Sequence, residues 1–259
     1  MKQRIITAVI ALLALLLVLF YVPGEVALAV IVAVMLAGAW EWSAFLGNPG
    51  KPVRITYVLI IAALIAAVTF LDINPTTVFQ VSLVGWIAAL IWTFFFPTPI
   101  PAFVRWLAGA LVLVPLYLAL TILYNTAPEL LLFALLIVWV ADTGAYFAGK
   151  SMGRVKLAPD ISPGKTWEGV IGGLLAVVLL TLLRTTWAET DLAIFLPFCL
   201  AVACLSIVGD LTVSMFKRTA GLKDSGTLFP GHGGVLDRID SVAAAAPLFA
   251  LGLGWVGLS

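Results

Sequence analysis

Hydrophobic positions in this chain do not alternate with polar ones; they run on. Nearly unbroken apolar stretches cover about 5–22, 25–46, 56–71, 77–96, 103–124, 129–149, 167–184, 192–216 and 239–258. Roughly 20 apolar residues wound as helix cross a hydrocarbon core about 30 Å thick. Each stretch therefore has the length of a transmembrane span. Backbone groups in lipid must be paired within the protein, which leaves helices or a closed barrel. A barrel strand alternates apolar and polar positions, and these runs do not. The pattern predicts an all-α, polytopic integral membrane protein of about nine transmembrane helices. The breaks carry turn chemistry: Pro23-Gly24 makes a tight hairpin, and Asn48-Pro49-Gly50-Lys51-Pro52 and Phe96-Pro97-Thr98-Pro99-Ile100-Pro101 are loops. Lys2 and Arg4 before the first run resemble a signal peptide. The run is long and no small-residue cleavage site separates it from the second, so it reads as a retained first helix.

Composition sharpens this picture. The chain has 259 residues, of which 63% are hydrophobic and 10% charged, and a mean hydropathy of +1.17. Soluble domains run near 45–50% apolar and about 25% charged, so a soluble fold is excluded. A formal net charge of +1 gives no bulk attraction to nucleic acid. The two cysteines, Cys199 and Cys204, sit in an apolar run and read as packing residues, not as a disulfide framework.

The placement of the basic residues predicts orientation. With nine spans, Lys2, Arg4, Lys51, Arg54, Arg105, Lys150, Arg154, Lys156, Lys165, Lys217, Arg218, Lys223 and Arg238 share one face, and Arg184 alone falls on the other. The expectation is a cytoplasmic N-terminus and a periplasmic C-terminus.

Ionisable groups are scarce in the first five spans. Glu41, between Trp40 and Trp42, reads as an interface anchor. The second half differs. Asp142 lies in the sixth span and Asp210 in the eighth, where a charge costs at least about 2.5–3.5 kcal/mol. Such residues either pair with Lys or Arg or hold a cation. In the loop between spans six and seven, Gly164-Lys165-Thr166 looks like the end of a phosphate-binding loop. The glycine needed five positions earlier is Pro159, and no strand leads in, so that reading fails. What survives is a lysine and hydroxyls at a helix N-terminus, a favourable place for an anion. Further on, helical spacing puts Asp210, Ser214 and Lys217 on one face, and Asp237 and Asp240 on another. Gly231-His232-Gly233-Gly234 between them is backbone able to approach a ligand closely. Carboxylates suit a hard cation with oxygen ligands, and the Lys and Arg groups suit phosphates. Together they are the toolkit of metal-assisted phosphoryl or nucleotidyl transfer on a lipid-borne substrate.

The run Ser214-x2-Lys217-Arg218-x4-Lys223-Asp224-x5-Pro230-Gly231-His232-Gly233-Gly234-x2-Asp237-Arg238-x-Asp240 resembles the signature of the phosphatidate cytidylyltransferases, or CDP-diglyceride synthetases. Ser162-Pro163-Gly164-Lys165-Thr166-Trp167-Glu168-Gly169 and Ala141-Asp142-Thr143-Gly144-Ala145-Tyr146 resemble two further stretches of that family. The first five spans resemble it only in hydropathy. Hydropathy and the placement of charge give one integral membrane domain over 1–259, with a scaffold of apolar spans in 1–125. The catalytic half is then 126–259, carrying signature loops 142–169 and 209–241. The resemblance implies transfer of a cytidylyl group from CTP to phosphatidate, giving CDP-diacylglycerol and pyrophosphate. It also implies Mg²⁺, with a second cation allowed, a bacterial inner-membrane location and a homodimer.

On that reading Asp210 and Asp237 are the first choices for metal ligands, with Asp142 and Asp240 behind them. Lys165, Lys217, Arg218, Lys223 and Arg238 clamp phosphates, and Ser214 ligates metal or phosphate. Asp224, Gly233 and Gly234 belong to the substrate-binding loop. His232, the sole histidine, either positions backbone or moves a proton. Rival readings fit less well. A transporter would spread charge over both halves, often in inverted repeats, and none is detectable. A CTP-dependent polyprenol kinase shares the toolkit but not the Pro-Gly-His-Gly-Gly run. A CDP-alcohol phosphotransferase needs an Asp-Gly-x2-Ala-Arg run that is absent.

Overall fold

The computed structural model describes residues 2–47, 49–186, 188, 190–228 and 233–258, with the backbone alone for residues 2–6 and 8. Its elements are α1 (Lys2–Phe20), α2 (Gly24–Trp42) with a 3-10 turn (Ser43–Leu46), α3 (Lys51–Phe70), α4 (Pro75–Thr93) and α5 (Ala102–Thr126). There follow α6 (Pro128–Met152), a hairpin of β1 (Lys156–Ala158) and β2 (Ser162–Thr166), α7 (Trp167–Arg184), α8 (Leu192–Thr219) and α9 (Leu236–Gly252). Among the described residues, seven helical segments are long and apolar enough to cross a membrane. The two that fall short are α1, whose described apolar part is Val9–Phe20, and α9, with 17 residues.

The shortness of α9 has a physical reason. It packs against α8, α5 and α4 in the interior of the bundle, and Ala243, Ala244, Ala245 and Ala246 are all buried there. A helix surrounded by protein needs small residues for close approach more than it needs strong hydropathy. Its first turn also lies deep. A side chain at Gly209 would strike the Asp240 carbonyl and Ala244. The start of α9 is therefore level with the middle of α8, well short of that helix's end at Thr219. The loop joining them descends into the bundle.

The tightest helix pair is α6 with α7. Gly144, Gly172 and Gly173 meet backbone or alanine methyls so closely that no side chain fits at any of them. Small residues at such a seam substitute for the hydrophobic drive that lipid removes.

The loop after α6 departs from the purely helical expectation. β1 and β2 pair antiparallel, with Lys156 opposite Thr166 and Ala158 opposite Ser162. Backbone groups released at the end of α6 need partners, and outside the spans a hairpin supplies them. Arg218 ties the hairpin to α8: its Nε donates to the Ile161 carbonyl at 3.2 Å and its Nη1 to the Leu222 carbonyl at 3.3 Å.

Basic residues from separate loops gather at one end of the molecule. Arg54 donates to Trp40 O and Arg105 to Phe45 O, both at the end of α2. Trp42 in turn packs on Phe216 of α8, ring centroids 5.0 Å apart, one residue from Lys217. At the far end, Arg184 lies over the rings of Phe133 and Phe195. Cys199 is buried and Cys204 exposed, and both are free.

Candidate active site

Thr166 starts the geometry. Its buried Oγ1 accepts from Gly169 N at 3.1 Å and caps α7, a role hydroxyls fill well. Successive side chains alternate along a strand, so Lys165 points away from that cap. It reaches α8, where its Nζ lies 2.6 Å from Asp210 Oδ2. One turn on, Ser214 Oγ donates to Asp210 Oδ1 at 3.1 Å. The helical face predicted for Asp210 and Ser214 is thus real.

Lys217, on the same face, turns to α9. Its Nζ donates to Asp237 Oδ1 at 2.7 Å and lies 3.6 Å from Asp240 Oδ2. That pairing shows Asp237 and Asp240 on a shared face. Asp142, on α6, accepts a long hydrogen bond from Ser241 Oγ at 3.4 Å. Asp210 is the hub: Asp142, Asp240, Lys165 and Lys217 all lie within electrostatic range of it.

The two lysine pairs differ in openness. The side chains of Lys165 and Asp210 are 25% and 26% exposed, while those of Lys217 and Asp237 are 9% and 8% exposed. A buried ion pair is costly to break from one side, so the Lys217 pair is the more firmly held and the Lys165 pair the more open of the two.

Asp237 is engaged on every side. Besides Lys217, its Oδ2 accepts from Ser225 N at 2.8 Å, Ser225 Oγ at 3.0 Å and Gly234 N at 2.9 Å. Gly233, at φ +80°, has no room for a side chain because Asp237 Oδ2 stands there. The close backbone approach expected of these glycines is therefore made to carboxylates of the chain itself.

The second such carboxylate is Glu41. Expected as an interface anchor, it is 6% exposed, and that expectation is corrected. Its Oε2 accepts from Ser225 Oγ at 2.8 Å and from Leu236 N at 2.9 Å, and its Oε1 from Val235 N at 2.9 Å. Gly226 and Gly234 both press against it. Irregular backbone at membrane depth survives only where protein satisfies it. Glu41 does this for the descending loop and for the N-terminal amides of α9. Sequence reading missed Ser225 and gave Glu41 the wrong role: the two are 184 positions apart, and no local spacing links them.

The remaining predicted residues lie further out. Arg218 holds the hairpin, as described. Lys223, Asp224 and Arg238 are exposed. His232, with Phe229, Pro230 and Gly231, lies outside the described residues.

Two cavities flank Asp142. One, of about 420 Å³, lies between α6, α7, α8 and β2 and is lined by Asp142, Lys165 and Asp210. The other, of about 470 Å³, lies between α1, α6 and α9 and is lined by Asp142, Asp237, Arg238 and Asp240 beside Ala11, Leu12 and Leu15.

The donor chemistry suits a hard cation. Asp210, Asp237 and Asp240 pair with two lysine ammonium groups, and Asp142 stands beside them through Ser241, so these six groups leave two formal negative charges. No group of three or more acidic, Cys or His side chains closes on a single point among the described residues. Mg²⁺ seldom needs that: it commonly takes one or two carboxylates and completes its shell with water and substrate phosphates. Asp210 and Asp142 line one cavity and can serve. Asp237 has its oxygens taken up by protein donors.

Comparison with known proteins agrees with this arrangement. The family model described as "Cytidylyltransferase family" matches residues 2–255. A phosphatidate cytidylyltransferase of Pseudomonas aeruginosa is 42% identical over 267 residues, covering 98% of this chain and 98% of that one. The protein of the same name from Haemophilus influenzae is 35% identical over 281 residues, covering 96% and 97%. One from Staphylococcus saprophyticus is 44% identical over 131 residues, about half of each chain. A membrane-embedded acid–lysine cluster and a match over nearly the whole length lead to one assignment: this chain belongs to the cytidylyltransferase family.

Proposed function

We propose that this chain is a phosphatidate cytidylyltransferase of a bacterial inner membrane, joining CTP to phosphatidate to give CDP-diacylglycerol and pyrophosphate. The observation that carries the reading is the Lys165–Asp210 pair. It is partly open and lies at the wall of a cavity, and its lysine comes from a stretch that resembles the family's.

In the reaction a phosphatidate phosphate oxygen attacks the α-phosphorus of CTP. The bond from that phosphorus to the β-phosphate oxygen breaks, and pyrophosphate leaves. The attacking oxygen is already anionic near neutral pH, so no strong general base is required. The difficulty is to bring two polyanions together and to stabilise the leaving group, which preorganised charge does well. Asp210 and Asp142 would hold Mg²⁺, with Asp240 behind them, and the bound ion supplies charge neutralisation at the phosphates. Lys165, released from Asp210 at that point, reaches the phosphates of CTP. Lys217 stays where Asp237 and Asp240 fix it and sets the positive floor of the site. Arg238, beside the apolar wall of α1, suits the phosphate of a lipid whose chains lie against Ala11, Leu12 and Leu15.

The active-site end faces the cytoplasm in this reading, as the clustering of basic residues supports, so that cytosolic CTP has access. The family resemblance supports a homodimer. Purified protein incubated with labelled CTP and Mg²⁺ should convert phosphatidate and leave a polyprenol untouched. Turnover of the polyprenol alone would contradict the assignment.

A further inference from the structure

Leu15, Trp139 and Arg238 each line two cavities at once. One is the cavity of about 470 Å³ between α1, α6 and α9 that carries Asp142, Asp237 and Asp240. The other, of about 260 Å³, lies beneath α1 and is bounded by α2, α5, α6 and α9. With three walls in common, the two adjoin as one groove that changes character along its length. One end holds carboxylates and an arginine. Beyond Arg238 the lining is aliphatic and aromatic, and it ends at Leu19, Ala27 and Leu131, which are 4%, 0% and 3% exposed. Arginine suits the junction, since its stem covers apolar surface while its head stays polar.

The sequence accounts for the groove. On α6, Leu131, Leu135, Trp139 and Asp142 recur at steps of three or four residues and so share one face. On α1, Ala11, Leu15 and Val18 do the same, and all of these line the groove. α1 packs mainly on α2, which leaves a trench between it and α6. Leu12 and Val30, at its edges, are 43% and 37% exposed, so the trench is open along its side. Leu131 stands eleven residues before Asp142 on α6, roughly 16 Å along the axis. The hydrocarbon of one leaflet is half of a core about 30 Å thick. The groove therefore has the length of a fatty-acyl chain, with charge at one end only. An occupant that matches it has an ionic head at Arg238 and a single slender apolar tail.

We propose that the groove beneath α1 holds one acyl chain of phosphatidate, with the chain end against Leu19, Ala27 and Leu131. α1 and α2 then set the chain length that the site accepts. The proposal rests on the reading of phosphatidate as the substrate.

Photolabelling of the purified protein tests it. Two phosphatidates are compared, one with a diazirine beside the acyl carbonyl and one with it at the chain end. Irradiation expels dinitrogen, the carbene inserts into the nearest side chain, and mass spectrometry of the peptides maps the adduct. In wild-type protein the chain-end probe should mark Ala27 and Leu131, which lie inside the fold. The carbonyl-side probe should mark Ala11, Leu15 and Trp139. Excess unlabelled phosphatidate should suppress both. Val30→Trp overfills the groove above its floor and should cut chain-end marking of Leu131 by about tenfold, leaving carbonyl-side marking within about twofold. The same map from both probes would overturn the proposal. So would marking confined to outward residues such as Val9 and Leu13, which are 49% and 60% exposed. The expected map in protein that does not turn phosphatidate over would support the groove and contradict the activity instead.

Discussion

Asp210 and Asp237 carry the same charge and were expected to do the same work. Their surroundings separate them. Asp210 has one lysine and one serine and borders a cavity. Asp237 has four hydrogen bonds from protein donors and holds the descending loop. Asp210→Asn should abolish cytidylyl transfer, by about 10²-fold or more, and leave the thermal unfolding midpoint nearly unchanged. Asp237→Asn should lower both, because an amide N–H replaces an acceptor among donors and Lys217 loses part of its compensation. Activity and unfolding assays on the two variants in detergent check the contrast, and identical profiles would contradict it. Lys165 is the more open of the two lysines and borders the cavity, so Lys165→Ala should cut kcat/KM for CTP by tenfold or more. An unchanged rate at low CTP would count against a phosphate role. At this scale the sequence was informative wherever residues share a helix, as with Asp210 and Ser214 or Asp237 and Asp240. It was silent where a carboxylate works across the bundle.

Glu41 shows what that silence hides at the scale of elements. It closes α2, a helix of the apolar half, yet its carboxylate accepts from Ser225 Oγ and from the first amides of α9. Helix N-termini need such acceptors, and here none is available from the helix's own flanking side chains. Glu41→Ala leaves three buried donors without that acceptor, each worth about 1–3 kcal/mol. The variant should unfold at lower temperature, open the 220–235 loop to limited proteolysis and lose at least tenfold in kcat. Glu41→Gln should fall between. Wild-type proteolysis and rate in Glu41→Ala would contradict the assignment. Hydropathy located the helices well, including α6 and α7 within a few residues. It could not foresee the β1–β2 hairpin, whose strands are short and lack alternation. Nor could it foresee that α9 starts beside Gly209, because that depth is set by packing and not by apolar length.

For the whole molecule, the sparse charge is the organising fact. The basic residues of the α2–α3, α4–α5, α6–α7 and α8–α9 connections gather at the end where Asp142, Asp210, Asp237 and Asp240 meet two lysines. Elsewhere the helices present apolar faces such as Leu59, Val84 and Leu179. If the active-site end is cytoplasmic, a reporter fused after residue 259 is active in the periplasm. A cytoplasmic signal would mean the chain crosses the membrane an even number of times. Whether this one-ended cluster transfers a nucleotidyl group is decided by the position of a label. Purified protein is given phosphatidate, Mg²⁺ and CTP labelled at either the α- or the γ-phosphorus. The α-label should appear in the lipid and the γ-label in pyrophosphate. Label from the γ-position in the lipid would mean phosphoryl transfer and would contradict it.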